Sequence, residues 1–324
     1  VTIKRKGGKM KITVLCPEPS SFSKKGLEYL EGFSSLTLKT MSQSEFEKTA
    51  PKFDAVLVRF NTKIGSNILE GGSNIKAIIS PTTGLDHINM QSAKLNNVKV
   101  FHLHGKKRFL KGVSGTAELS IGLMLSVMRK IPQSFSAVKS GVWDAGLFRG
   151  NEVSGKILGV IGCGRLGSKV SKTAIALGMN VVAYDPYISR FPAGVKSKKS
   201  QLKLLNEADI ISLHVPLSKE TKHLISDREI SQMKSGVVII NTSRGAIINT
   251  ESLINGLNSG RVSAAALDVI EDEHLMKGIL HPLVKYARKH SNLLITPHIG
   301  GATFESVEKT DLFILERYYK QLIM

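Results

Sequence analysis

The fold is decided by Ile157-Leu-Gly-Val-Ile161, which runs directly into Gly162-Cys-Gly-Arg-Leu-Gly167 and then into Ser168-Lys-Val-Ser-Lys-Thr-Ala-Ile-Ala-Leu-Gly178. A short apolar run, a GxGxxG turn and a helix-forming stretch stand in the order that dinucleotide binding requires. The first glycine permits the tight turn, the second lets a pyrophosphate approach the backbone, and the third lets the helix pack on the strand. Arg165 and Leu166 then lie in the first helical turn, whose N–H groups have no intrahelical partner and attract anions. The next apolar run, Val181-Val-Ala-Tyr184, ends in Asp185, 23 residues beyond Gly162. A carboxylate there accepts hydrogen bonds from ribose hydroxyls and repels a 2′-phosphate, which points to NAD. The competing reading of Asp185 is a turn residue before Pro186. Cys163 reads as a small filler between the glycines.

Outward from this unit the same alternation continues. Downstream strand candidates are Ile210–His214, Val237–Asn241, Ala264–Val269 and Leu293–Thr296. Several are apolar throughout, as strands covered on both faces should be. Upstream, Lys11–Leu15, Ala55–Phe60, Ile75–Ser80 and Val98–His102 are separated by polar or helix-forming segments. Between the two series lies Gly115–Lys130, apolar enough for a helix buried on most sides, with Pro132 expected to end it. The tail, Phe304–Leu322, reads as an amphipathic helix. The expected fold is α/β, with two doubly wound parallel-sheet domains and a cleft between them. One is a flavodoxin-like substrate domain of residues 10–112 plus 301–324. The other, residues 113–300, is a Rossmann NAD-binding domain.

Composition narrows the classes. At 324 residues the chain is long for one domain. It has no apolar run of the roughly 18 residues that a membrane span needs. Residues 1–9 precede Met10 and are compatible with a leader or an added tail, without the apolar stretch of a signal peptide. Two isolated cysteines, Cys16 and Cys163, make no disulfide framework, so a reducing cytoplasm is expected. The net charge is +19, carried mostly by scattered lysines with no nucleic-acid-reading motif. A solvated surface is therefore expected, with neither nucleic acid nor membrane as partner.

Four further segments carry chemistry: Ser212–Leu217 (SLHVPL), Ile240–Gly245 (INTSRG), Ala266–Val269 (ALDV) and Thr296–Gly301 (TPHIGG). With the glycine turn, they resemble the D-isomer-specific 2-hydroxyacid dehydrogenases, in particular the phosphoglycerate dehydrogenase-like members. The resemblance runs from about residue 11 to the end. It implies an NAD-dependent enzyme moving a hydride between the cofactor and carbon 2 of a small D-2-hydroxy acid, with 3-phosphoglycerate or another anionic molecule as a candidate substrate. It also implies a homodimer, and the histidines of 274–290 show no metal-ligand spacing, so no metal is expected.

The resemblance assigns His298 as acid–base, Glu273 as its carboxylate partner and Arg244 as the cation facing the substrate. The residue types suit the roles. Histidine exchanges a proton near neutrality, and guanidinium is a permanently charged planar fork. His214, Pro216, Thr242 and Asp268 are placed along the cofactor, with Asp268 at the nicotinamide end. Thr83 and Gly84 in Ser80–Asp86, together with Arg59, are placed at the substrate. Asn61 stands where a second basic residue would favour 3-phosphoglycerate. His274 stands where the family commonly has proline, and 274–290 is longer than usual; its histidines, His274, His281 and His290, read as surface residues. The segment 104–111 is also long and carries Lys106, Lys107, Arg108 and Lys111. It reads as an exposed basic loop, or as an attractor for an anionic substrate. Some relatives serve as NAD-sensing regulatory proteins, which is the alternative to an enzyme.

Overall fold

The computed structural model describes residues 2–5, 8–273 and 280–324. It divides into two compact units, one of Val1–Val113 with Ala302–Met324 and one of Ser114–Gly301; the two junctions fall one residue beyond the expected ones, and the first unit also takes in the residues before 10.

The first unit holds strands β1 (Thr2–Arg5), β2 (Gly8–Cys16), β3 (Ser34–Leu38), β4 (Ala55–Leu57), β5 (Ala77–Ser80) and β6 (Lys99–His102). β3, β2, β4, β5 and β6 lie side by side in that order, all parallel, and β1 pairs antiparallel with the start of β2. This is the flavodoxin-like order, in which the crossovers place helices on both faces. Period-two alternation sorts the side chains. Val14, Leu57, Ile79 and Phe101 pack with Ile314, Leu315 and Tyr318 of the last helix, Phe304–Ile323, while Leu15, Val56 and Ile78 pack on the other face with Phe46 and Ile68.

The second unit holds β7 (Ile157–Ile161), β8 (Asn180–Tyr184), β9 (Val195–Ser197), β10 (Ile210–Leu213), β11 (Val237–Asn241), β12 (Val262–Leu267) and β13 (Leu293–Ile295). Their order is β13-β12-β11-β10-β7-β8-β9, parallel throughout. The strand order reverses at β7, so the turn after β7 stands at the switch point where such sheets bind ligands.

Three local expectations are corrected. The helix Gly115–Met128 stops before Pro132, and Lys130 turns left-handed at φ +52°. Pro132 instead opens the following helix, Ile131–Lys139, where a missing N–H costs nothing. Strands β3 and β9 carried no strand signal, because polar residues fill their exposed positions. The basic segment 104–111 is no open loop: Lys107–Leu110 is one helical turn. Leu110 is buried and the Phe109 ring stacks on Phe313 at 3.8 Å, which anchors the segment through its apolar residues.

Candidate active site

The glycine turn has the close contacts its spacing calls for. Gly162 adopts φ +86°, and a Cβ there would meet the His214 carbonyl oxygen at 2.7 Å. A Cβ on Gly167 would stand 2.1 Å from the Gly162 carbonyl oxygen, so only glycine lets the helix Arg165–Ala176 approach β7 this closely. Around Gly164 nothing lies within 4 Å of such an atom, which leaves the backbone open to a phosphate. Arg165 and Leu166 start the helix there, and burial lowers the pKa of the Arg165 guanidinium from its ordinary value. Asp185 sits against this turn, its Oδ2 accepting the Cys163 N–H at 2.9 Å and its Oδ1 the Tyr187 N–H at 2.9 Å. An uncovered Gly164 backbone, a helix start beside it and a carboxylate at the end of β8 fit a dinucleotide. Cys163 and Cys16 are both free and buried, and burial raises both thiols, Cys16 to about 12, so neither is a ready nucleophile.

His214 follows β10. Its Nε2 lies 2.8 Å from Ser212 Oγ, its Nδ1 is buried without a partner, and burial lowers its pKa to about 4, keeping the ring neutral. Pro216 is exposed, and its carbonyl accepts the Thr221 hydroxyl at 2.6 Å. Thr242 Oγ1, at the end of β11, lies 2.7 Å from Ser120 Oγ in the helix Gly115–Met128. Ser120 and Ser212 are thus supporting residues that carried no signal in the sequence, since a buried serine looks like any other.

Arg244 sits in the turn after β11. The Asn241 amide donates to the Arg244 carbonyl at 2.9 Å, and Arg244 Nη1 donates to the Ser243 carbonyl at 2.7 Å. Gly245 is required beside it, because a Cβ would meet the Ile270 carbonyl carbon at 1.9 Å. The acidic run Glu271-Asp-Glu273 is divided by the structure. Glu273 Oε1 lies 2.5 Å from His298 Nδ1, whereas Glu271 pairs with His223.

His298 has a left-handed backbone, φ +56°. Three consecutive N–H groups hold it there. Those of His298, Ile299 and Gly300 donate to the Asp268 carbonyl (2.8 Å), Oδ1 (2.8 Å) and Oδ2 (2.7 Å). Asp268 Oδ1 also accepts the Thr296 hydroxyl at 2.6 Å, and burial raises the carboxyl pKa against these bonds. Expected at the nicotinamide, Asp268 is only 1% exposed and both its oxygens are engaged by the loop that presents His298.

In the first unit, the Thr82 hydroxyl donates to the Gly84 carbonyl at 2.8 Å, shaping the loop of Thr83 and Gly84, while Thr83 is exposed. Arg59 Nη2 donates to the buried Asp311 at 2.6 Å, and the guanidinium lies 5.1 Å from the Phe22 ring centre. One edge of its fork is therefore held within the unit. His281 caps the helix Pro282–Ala287 and His290 stacks on Tyr286, whereas His274 lies outside the described residues. Among the described residues no group of three potential ligands could hold a metal, and no helix is long and apolar enough to cross a membrane.

A family model for the NAD binding domain of D-isomer specific 2-hydroxyacid dehydrogenases matches residues 121–300. The chain belongs to this family. The hydroxypyruvate reductase of Thermotoga maritima is 37% identical over 287 residues, covering 89% of this chain and 90% of that protein. The D-3-phosphoglycerate dehydrogenase of Archaeoglobus fulgidus is 37% identical over 308 residues, 94% of this chain and 56% of that one, so the chain spans about half the length of that dehydrogenase. Among solved structures, D-lactate dehydrogenase from Aquifex aeolicus with NAD and lactic acid superposes with a TM-score of 0.82 at 28% identity, covering 96% of this chain and 95% of that one. Family membership makes this chain an NAD-linked oxidoreductase of the D-2-hydroxyacid class.

Proposed function

We propose that the protein reduces a small 2-keto acid to its D-2-hydroxy acid, or runs the reverse, with His298, Glu273 and Arg244 at the reacting carbon. The observation that carries this is the 2.5 Å contact between Glu273 and His298, formed in the same unit as the open glycine turn. NADH, when bound, supplies the hydride that reaches carbon 2. His298 Nε2 donates the proton to the carbonyl oxygen, and Glu273 steadies the ring through Nδ1. Arg244 pairs with the substrate carboxylate and polarises the carbonyl. Gly162, Gly164, Arg165, Leu166, Gly167, Asp185, His214, Pro216 and Thr242 hold the cofactor, and Asp268 supports the His298 loop. Thr83, Gly84 and Arg59 are further candidates for substrate binding. A homodimer in a reducing cytoplasm is the expected setting, and the two free, buried cysteines fit the reducing compartment.

The substrate is proposed to be a compact anionic keto acid. The test is a panel of hydroxypyruvate, glyoxylate, pyruvate and phosphohydroxypyruvate, each followed by NADH oxidation. Turnover of at least one supports the reading, and turnover of none refutes it.

A further inference from the structure

Two residues before Glu273, a second histidine–carboxylate pair stands in the second unit. His223 Nε2 lies 2.9 Å and 3.2 Å from the two carboxylate oxygens of Glu271. The backbones of the same residues are also tied. The His223 N–H donates to the Ala246 carbonyl at 2.7 Å, two residues beyond Arg244. Gly245 lies so close that a Cβ would stand 2.2 Å from the Glu271 nitrogen. Glu271 is therefore gripped through its side chain and its main chain, and its neighbours in that grip are the turn carrying Arg244. Between Glu271 and Glu273 the chain reverses through Asp272 at φ +52°, so a fixed Glu271 sets the direction in which Glu273 leaves the turn.

Stability alone is a poor reason for this arrangement. The pair is 34% and 22% exposed, and ion pairs in contact with water add little. His223 itself is left-handed at φ +51°, and with Asp272 it makes two strained backbones within one small cluster. Such strain persists where the surroundings over-determine a conformation that function uses.

We propose that His223 and Glu271 are positioning residues that lock the Arg244 turn and the Glu273 turn together, so that Glu273 meets His298 without having to be ordered by substrate. This rests on the reading of His298, Glu273 and Arg244 given above. Glu273 would otherwise pay the entropy of ordering a turn at the moment of reaction, and preorganised groups avoid that cost.

The test uses the full chain labelled at its histidines, with Glu271→Gln, His223→Gln, Glu273→Gln and the double variant Glu271→Gln/Glu273→Gln. Nuclear magnetic resonance of the imidazole nitrogens reads the His298 ring directly. In both Glu271→Gln and His223→Gln its signals should move toward their position in Glu273→Gln. With a keto acid that turns over, kcat should fall about tenfold in each, the order seen when a supporting group is lost, with little change in KM for NADH. The double variant should be no slower than Glu273→Gln alone, because both substitutions break one unit. His298 signals that stay unmoved in both single variants, or kcat losses that multiply in the double, overturn the proposal. Should His223→Gln unfold, Glu271→Gln decides by the same criteria. A wild-type chain that reduces no keto acid refutes the hydride-transfer reading, while the imidazole spectra still decide whether Glu271 positions Glu273.

Discussion

Glu273 Oε1 and His298 Nδ1 are 2.5 Å apart, and because a carboxylate only accepts, the proton between them belongs to Nδ1. Nε2 is then the atom proposed to exchange a proton with substrate. His298→Ala should lower kcat by about 10²- to 10⁴-fold, the range for loss of a general acid. The dissociation constant for NADH, read by fluorescence titration, should hold, since the glycine turn is untouched. Glu273→Gln should cost less and should alter the pH profile of kcat/KM. An unaltered profile in Glu273→Gln would mean that the pair does not act in the reaction.

Asp185 closes the adenosine end of the proposed cofactor site. NADH should give a far higher kcat/KM than NADPH, because a 2′-phosphate would meet this carboxylate. Asp185→Ser should narrow the gap mainly by weakening NADH, since it creates no phosphate site. Equal kcat/KM for the two coenzymes in the wild type would remove Asp185 from the ribose.

His214 supplies a pH prediction with a definite sign. Burial lowers its pKa from the ordinary 6.5 to about 4. Between those values the unfolded chain takes up a proton that the folded chain refuses, so stability falls as the pH drops from about 6.5 toward 4. His214→Gln lacks this term. Its Tm should decline less than that of the wild type over the same interval, and parallel declines would contradict the assignment.

Arg59 is caught between two roles. Removing it leaves Asp311, 0% exposed at its side chain, as a buried carboxylate without its cation, held by the Ser23 N–H and hydroxyl. Arg59→Ala should therefore cost about 3–5 kcal/mol, visible in denaturant melts, and adding Asp311→Asn should recover part of the loss. A rise in KM for the keto acid with no loss of stability would show instead that the guanidinium serves substrate alone.

The segment of Lys106, Lys107 and Arg108 should act on encounter. Changing all three to Ser should raise KM for a phosphorylated or dicarboxylic substrate more than for a simple aliphatic keto acid, with kcat nearly constant. The wild-type advantage should fade with salt as the screening length shrinks from about 10 Å at 0.1 M to about 3 Å at 1 M. An unchanged KM for every anionic substrate at low salt would make these cations plain surface.

The glycine turn was legible because its spacing is local: Gly162, Gly164 and Gly167 all lie within one strand–turn–helix unit, although Gly162 also answers to the His214 carbonyl after β10. The strands with apolar runs were legible for the same reason. Strands β3 and β9 were not, since pairing with a neighbouring strand, absent from any local window, is what makes their polar segments extended. Pro132 misled because a proline that cannot continue one helix is well suited to start the next.

Sequence by itself determined the two-unit α/β plan and the cofactor turn, because residue type and spacing specify those, whereas His298, Glu273 and Arg244 were singled out only by the family resemblance. It could not say which acid of Glu271-Asp272-Glu273 meets His298, or that Asp268 is engaged with the His298 loop, or that Arg59 pairs with Asp311. Those assignments join residues 25, 30 and 252 positions apart. They depend on where each turn aims a carboxylate, to within a hydrogen-bond length. For the first two, that direction is set by left-handed backbones at Asp272 and His298 and by packing against Gly245, and for Asp311 by its buried place on the last helix; only the folded chain supplies it.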